Sequence, residues 1–382
     1  MNAMDGSVQP LYDLAPVAWL LGVGVLLALG PLLWVWRRHV GEGAGRRLQA
    51  LTVLTLFLTF DLTLFGAFTR LSDSGLGCPD WPGCYGSASP VGAQVHIEAA
   101  QTAMPTGPVT HSKAWIEMVH RYLATGVGVL ILTLTVTSWL ERKRTAVSPW
   151  WPTVTLVWVC LQGAFGALTV TMKLFPAIVT LHLLGGLVLL ALLRAQSLRY
   201  AGLQAPTAQG LGKGLRLAAL AAFALLWLQI ALGGWVSTNY AVLACTDFPG
   251  CQNSLWPAMD FRQGFTLWRE LGAGHDGANI SFQALTAIHY VHRLTAYLVF
   301  AVFLALAFFL HRVPAFRAPA RWLAGLIVLQ AVTGISNAVL GWPLLAAVMH
   351  TGGAAALVIV LGGVVFSGRG GPSAPHASKL NA

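Results

Sequence analysis

The sequence predicts an all-α integral membrane protein: two pseudo-symmetric four-helix bundles related by internal duplication, plus one extra N-terminal transmembrane helix. Three observations predict it. Hydrophobic residues make up 56 % of the 382 residues and charged residues only 9 %, and mean hydropathy is +0.67, a balance that suits lipid as solvent. Nine apolar runs approach the roughly 20 residues a spanning helix needs, and they exceed membrane β-strands of about 10 residues. The third observation is a pattern of glycine, cysteine, histidine and arginine that recurs about 167 residues later.

The first span, 17–36, has no counterpart in the repeat. Asp5 and Asp13 precede it without a basic residue, and Arg37 and Arg38 follow it, which is the wrong flank pattern for a cleaved signal peptide. We read it as a retained helix, peripheral to the chemistry, within an N-terminal unit 1–47. Spans 51–70, 115–139, 151–172 and 177–193 form the first half, 48–200. Spans 216–238, 286–310, 322–341 and 344–366 form the second, 201–366. A polar tail, 367–382, is expected to be disordered.

Sixteen of the 23 lysines and arginines fall on one side of these spans, among them Arg46, Arg47, Arg142, Arg144, Arg312 and Arg317. The positive-inside rule makes that side cytoplasmic. The net charge of +10 then reflects topology and not nucleic-acid binding. The N-terminus is expected outside an inner (cytoplasmic) membrane, the C-terminus inside, and the two long loops outside.

Those loops hold four of the five cysteines, in the shared pattern Cys78-Pro-Asp80-Trp81-Pro82-Gly83-Cys84 and Cys245-Thr-Asp247-Phe248-Pro249-Gly250-Cys251. Outside the cytoplasm thiols oxidise readily, and a Pro-Gly turn can bring each pair together. Two intraloop disulfides are expected. The loop histidines His96, His111 and His275 lack a repeated spacing, which argues against zinc. Cys160, alone in an apolar run, reads as a packing residue.

Ionisable groups within a bilayer are costly and point to function. His120 and His182 lie about 8 Å inside the outer ends of their spans, and His292 and His350 occupy the matching places in the second half. Four histidines on four helices, in two symmetric pairs, suit bis-imidazole ligation of haem. Gly185 and Gly353, three residues after His182 and His350, are expected to let a flat macrocycle approach. Arg121 and Arg293 follow their histidines and suit haem propionates. A hydrogen-bonded packing role is the bland alternative for any one histidine.

Glu117 is the one clear chemical difference between the halves, because His289 stands in its place in the second. Beside a haem, a carboxyl here can serve as acid, base or charge stabiliser; a salt bridge to Arg121 at i,i+4 is the plainer reading. Asp61, mid-span without a repeat counterpart, reads equally as part of a proton path or an interhelical hydrogen bond.

Taken together, Gly-Leu-Gly-Cys78-Pro-Asp-Trp-Pro-Gly-Cys84, Glu117-x-x-His120-Arg121, His182, His292-Arg293 and His350, on two four-helix halves, resemble haem A synthase over about residues 48–366. The resemblance implies oxidation of the C8 methyl group of haem O to the formyl group of haem A, which serves terminal oxidases. It implies haem O between His120 and His182 with Glu117 as catalytic carboxylate, and a haem b cofactor between His292 and His350. It also implies haem O synthase and a membrane electron acceptor as partners; a homo-oligomer is left open. His289 is a second candidate ligand, although the His-Arg match favours His292. Two rivals stand beside it. A dihaem b-type electron-transfer cytochrome needs the four histidines but not Glu117. A periplasmic disulfide/quinone oxidoreductase needs the cysteines, yet Cys-x5-Cys lacks the redox-tuned Cys-x-x-Cys spacing.

Overall fold

The computed structural model describes residues 14–202, 211–274 and 278–367. The leading stretch with Asp5 and Asp13, His275, Arg369, Lys379 and the expected tail beyond Ser367 lie outside the described residues.

Among the described residues nine helices are long and apolar enough to cross a membrane. They are α1 (Ala15–Arg38), α2 (Ala44–Leu71), α4 (His111–Leu140), α5 (Trp150–Thr171), α6 (Pro176–Gly202), α7 (Lys213–Thr238), α9 (Phe282–His311), α10 (Arg317–Val339) and α11 (Leu344–Ser367). Two short helices, α3 (Gln94–Ala103) and α8 (Phe261–Gly264), lie in the long loops. Helices suit lipid because every backbone group is satisfied within its own segment. The hydroxyls of α2 obey the same rule: Thr52, Thr55, Thr59 and Thr63 each donate to the carbonyl four residues earlier.

Helices α2, α4, α5 and α6 pack as one set, and α7, α9, α10 and α11 as another. The sets meet through α2 and α6 of the first and α11 and α7 of the second. Leu130, Ile131, Leu190 and Phe303 are among the fully buried side chains of the core. Phe57, Trp34, Leu228 and Phe308 are exposed on the outside, as expected of helices whose outer face meets acyl chains rather than water.

Residues separated by 167 positions touch at the junction. Arg70 donates to the Ser237 carbonyl at 2.6 Å, and the Tyr240 hydroxyl donates to Asp73 at 2.7 Å. The Arg70 guanidinium lies 4.2 Å from the Tyr240 ring centre, a cation–π contact. Thr180 and Thr238 add a hydroxyl pair at 3.1 Å.

Two expectations change. Helices α4 and α9 begin at His111 and Phe282, further out than the apolar runs indicated. The reason is capping: Thr110 accepts from the Lys113 N–H at 3.3 Å and Ser281 from the Ala284 N–H at 3.2 Å, so a polar first turn extends each helix. His120 and His292 consequently sit nearer 14 Å from the helix starts, at about 1.5 Å per residue. Helix α1 packs against α4, the helix bearing Glu117 and His120. Asp61, for its part, faces outward from α2, away from the cavity described below and without a partner among the described residues. Neither reading offered for it fits that placement.

Candidate functional site

Each long loop closes on itself before it meets the helices. Cys78–Cys84 and Cys245–Cys251 form disulfides with Cα–Cα separations of 4.8 Å. An aspartate organises each ring from within. Asp80 accepts from the Tyr85 and Gly86 N–H groups, both at 2.6 Å; Asp247 accepts from those of Gln252 and Asn253 at 2.8 and 2.9 Å.

The two arginines expected as propionate partners direct hydrogen bonds to these loops. Arg121 donates to the carbonyls of Asp80 (3.0 Å), Pro82 (3.1 Å) and Gly83 (2.6 Å). Arg293 donates to Asp247 at 2.7 Å, to Cys245 at 3.1 Å and to Gly250. A guanidinium presents donors in a fixed fork, and three converging loop carbonyls satisfy it. Both side chains are buried, and both still border the cavity.

That cavity, about 1410 Å³, runs across both helix sets and is lined by His120, His182, His292 and His350 together with Glu117. Pockets for drug-sized ligands are usually about 300–1,000 Å³, so this space suits something larger, or two ligands. Its walls are largely leucine, valine, alanine and glycine, which suits a flat apolar macrocycle.

A glycine on the neighbouring helix abuts every one of the four histidines. A Cβ on Gly66 would lie 3.0 Å from Cε1 of His120, and one on Gly166 3.5 Å from that of His182. The corresponding distances are 2.9 Å for Gly233 and His292, and 3.2 Å for Gly334 and His350. The imidazoles therefore rest on bare backbone, which frees the space on their other side. Gly66 and Gly233 were visible in the repeat; Gly166 and Gly334 were missed, although they repeat in register with His182 and His350.

Gly185 and Gly353 do not have the role expected of them. A side chain at either would collide with the amide of Gln162 or Gln330 on the adjacent helix. Neither glycine borders the cavity. Three residues along a helix is a rotation of roughly 60° away from the histidine's direction, and here that turns the glycines toward α5 and α10. Gln330 uses the space to donate to the His350 carbonyl at 2.9 Å. Cys160 is likewise no packing residue: its thiol is exposed and borders the cavity.

The two pairs differ beyond the first atoms. Nδ1 of His350 lies 2.9 Å from the Thr333 hydroxyl, which itself donates to the Leu329 carbonyl at 2.7 Å. Thr333 therefore accepts from Nδ1–H and leaves the His350 Nε2 lone pair free. Nδ1 of His292 lies 3.1 Å from the Gln229 amide. The two rings are 6.5 Å apart between centres. A metal–imidazole bond of about 2 Å on each side would separate two ring centres by roughly 6 Å, so this spacing fits one iron atom. In the first set, Nδ1 of His120 and of His182 are buried without a hydrogen-bond partner. Leu62 and Phe165 stand there at the positions corresponding to Gln229 and Thr333.

Glu117 is 4 % exposed. One carboxylate oxygen accepts from Arg121 at 2.5 Å and the other from the Cys78 N–H at 2.8 Å. The plainer reading, an ion pair with Arg121, is thus present, and the same carboxyl also borders the cavity. His289 is tied elsewhere, with Nδ1 3.1 Å from the Ala241 carbonyl and Nε2 3.5 Å from Arg293.

Comparison with known proteins identifies the family. Residues 49–361 match the family described as cytochrome oxidase assembly protein, COX15-CtaA. The chain is 38 % identical over 309 residues to a haem A synthase of Shewanella oneidensis, covering 81 % of this chain and 92 % of that one. It is 30 % identical over 344 residues to a haem A synthase of Rhizobium rhizogenes (82 % and 87 % covered). A haem A synthase of Halalkalibacterium halodurans is 26 % identical over 317 residues (80 % and 91 %). A chain with nine membrane-length helices among its described residues and four histidines lining one cavity, which matches these proteins over most of their length, belongs to the haem A synthase family of membrane enzymes.

Proposed function

We propose that this protein oxidises the C8 methyl group of haem O to the formyl group of haem A. In this reading haem O is held between His120 and His182, and a haem b cofactor between His292 and His350. The observation that carries it is the asymmetry of two otherwise matching sites: both have paired histidines set on glycine, but only one has a buried carboxyl.

Haem b, when bound, supplies one-electron redox chemistry that side chains lack. His292 and His350 hold it, with Thr333 and Gln229 fixing the imidazoles from behind. In the first set His120 and His182 position the substrate. Glu117, one turn before His120, can hold or accept a proton at the carboxylate oxygen shared with Arg121, while its other oxygen anchors the disulfide loop. The loop therefore orients the carboxyl, and the disulfide has a positioning role rather than a redox one. The electrons leave through a membrane acceptor, and haem O synthase is the natural source of the substrate.

The purified protein should show a low-spin b-type spectrum, and extraction of its pigment should yield haem O and haem A beside haem b. Haem b alone would favour an electron-transfer cytochrome; absence of haem would sink both. The basic-residue bias supports loops and histidine ends facing the periplasm. Thiol reagents applied to intact cells should then label the four loop cysteines only after reduction, and efficient labelling without a reductant would contradict that orientation.

A further inference from the structure

Helix α1 has no counterpart in the second helix set, yet it is built into the cavity wall of the first. Its small residues meet α4 just beyond His120. A Cβ on Gly24 would lie 2.5 Å from the Thr125 methyl, and Leu27 sits 3.4 Å from where a Cβ on Gly126 would be. Close approach through small residues is how helices associate in lipid. At its outer end Pro16 comes within 3.1 Å of a Cβ built on Gly83, in the first disulfide loop. Leu20 and Leu21 follow this contact, and both line the cavity.

The second set closes the matching place with its own side chains. Counting from His292 as from His120, Tyr297 and Leu298 replace Thr125 and Gly126. The Tyr297 hydroxyl donates to the Pro249 carbonyl at 3.1 Å, and its ring packs edge-on against Phe248 at 6.5 Å. Both aromatic rings line the cavity. Leu298 is 55 % exposed, so no helix covers it. One lobe is walled by a tyrosine; the other is walled by a separate helix that presents hydrocarbon.

We infer that α1 is the side wall of the substrate lobe, and that Leu20 and Leu21 contact the long isoprenoid chain that distinguishes haem O from protohaem. The inference rests on haem O occupying the His120–His182 site. A macrocycle edge can be accommodated by small side chains, but a hydrocarbon tail needs its own apolar surface, and only this lobe has one added. Leu21 is 52 % exposed, which puts the wall at the edge of the helix set, where a long chain can lie partly in the bilayer.

The test is binding, not turnover. Full-length protein from cells unable to make haem O would be titrated with haem O and, separately, with protohaem. Leu20→Trp/Leu21→Trp should weaken haem O about tenfold, the lower end of what one wrongly sized group does in an apolar pocket, and leave protohaem unchanged. Leu20→Ala/Leu21→Ala, which removes contact without adding bulk, should act in the same direction and serves if the tryptophans prevent assembly. Leu26→Trp, on the exposed face of α1, should change neither titration. Equal loss of both porphyrins, or unchanged haem O binding in both double variants, overturns the role of α1. If His120→Ala also leaves haem O affinity unchanged, the underlying site assignment has failed instead.

Discussion

His292 and His350 occupy the same places as His120 and His182, but only the second-set pair is held from behind. Gln229 and Thr333 touch the far ring nitrogens of the former; those of the latter are buried and unpartnered. Thr333 accepts from Nδ1–H and so fixes the tautomer and ring orientation of His350 and raises its basicity as a ligand. Gln229, whose Oε1 has no other partner among the described residues, does the same for His292 when its amide is turned so that the oxygen accepts from Nδ1–H. A site that retains its ligand benefits from such outer contacts, whereas a site that must release a product every turnover does not. On the proposed function, the cradle of glycine common to both pairs serves to bind a macrocycle, and the outer contacts set how long the macrocycle stays.

The largest effect should come from removing iron ligands. His292→Ala or His350→Ala should abolish tightly bound haem b, measured as haem per protein after purification. His120→Ala and His182→Ala should leave most of it in place. The opposite pattern would mean that the retained and exchanged sites are assigned to the wrong helix sets.

Next is the carboxyl that only one site has. Glu117→Gln keeps the shape and an acceptor for the Cys78 N–H, yet it removes the negative charge beside Arg121. Loss of a general acid or base slows chemistry by about 10²- to 10⁴-fold, so cells should accumulate haem O and make little haem A while the protein keeps its haem b. Normal haem A output would demote Glu117 to a partner of Arg121 and the loop.

How much of this was legible follows from which physics each feature uses. The nine spans were, because lipid imposes a length and a composition on any helix that crosses it. The four histidines, Glu117 and the cysteine pairs were, because polar groups in apolar runs stand out and recur in register. The starts of α4 and α9 were not, since Thr110 and Ser281 extend them through capping hydrogen bonds that hydropathy ignores. The loop partners of Arg121 and Arg293 were not, because they are carbonyls 38 to 48 residues away, which no local pattern displays. The direction of Gly185 depended on which neighbour α6 would pack against. The exchanges of Gln229 for Leu62 and Thr333 for Phe165 were in plain view; reading every position of the repeat, and not only its ionisable ones, would have found them.

Those exchanges yield a third, smaller prediction. Gln229→Leu makes the His292 surroundings like those of His120 and should weaken haem b about 10- to 100-fold, the usual effect of losing an outer contact to a ligand. The reciprocal Leu62→Gln should retain the substrate pigment longer and lower turnover. Haem dissociation into an excess of an apo-haemoprotein acceptor measures both. Unchanged dissociation from either variant would remove the outer contacts as the basis of the difference.

The smallest effect belongs to the loops, where the two regions are most alike. The Asp247 carboxyl accepts from the Asn253 and Gln252 N–H groups, and these, Asn253 foremost, hold its pKa below the ordinary value of 3.8 against the opposing effect of burial. A carboxyl with a depressed folded pKa stabilises its loop above the ordinary value, and that contribution is lost as pH falls through the folded one. Because Asp247 is at the surface, the change should be confined to the ring and small. Hydrogen exchange at Gln252 and Asn253, corrected for intrinsic rates, should show protection falling as pH drops below 3.8. Asp247→Asn should have lower protection at neutral pH and no such step, with Cys245–Cys251 intact. A step that persists in Asp247→Asn would assign the titration to another group. A step that comes with loss of haem b would show that the loop is coupled to the cavity through Arg293, which donates to both the Asp247 and Cys245 carbonyls.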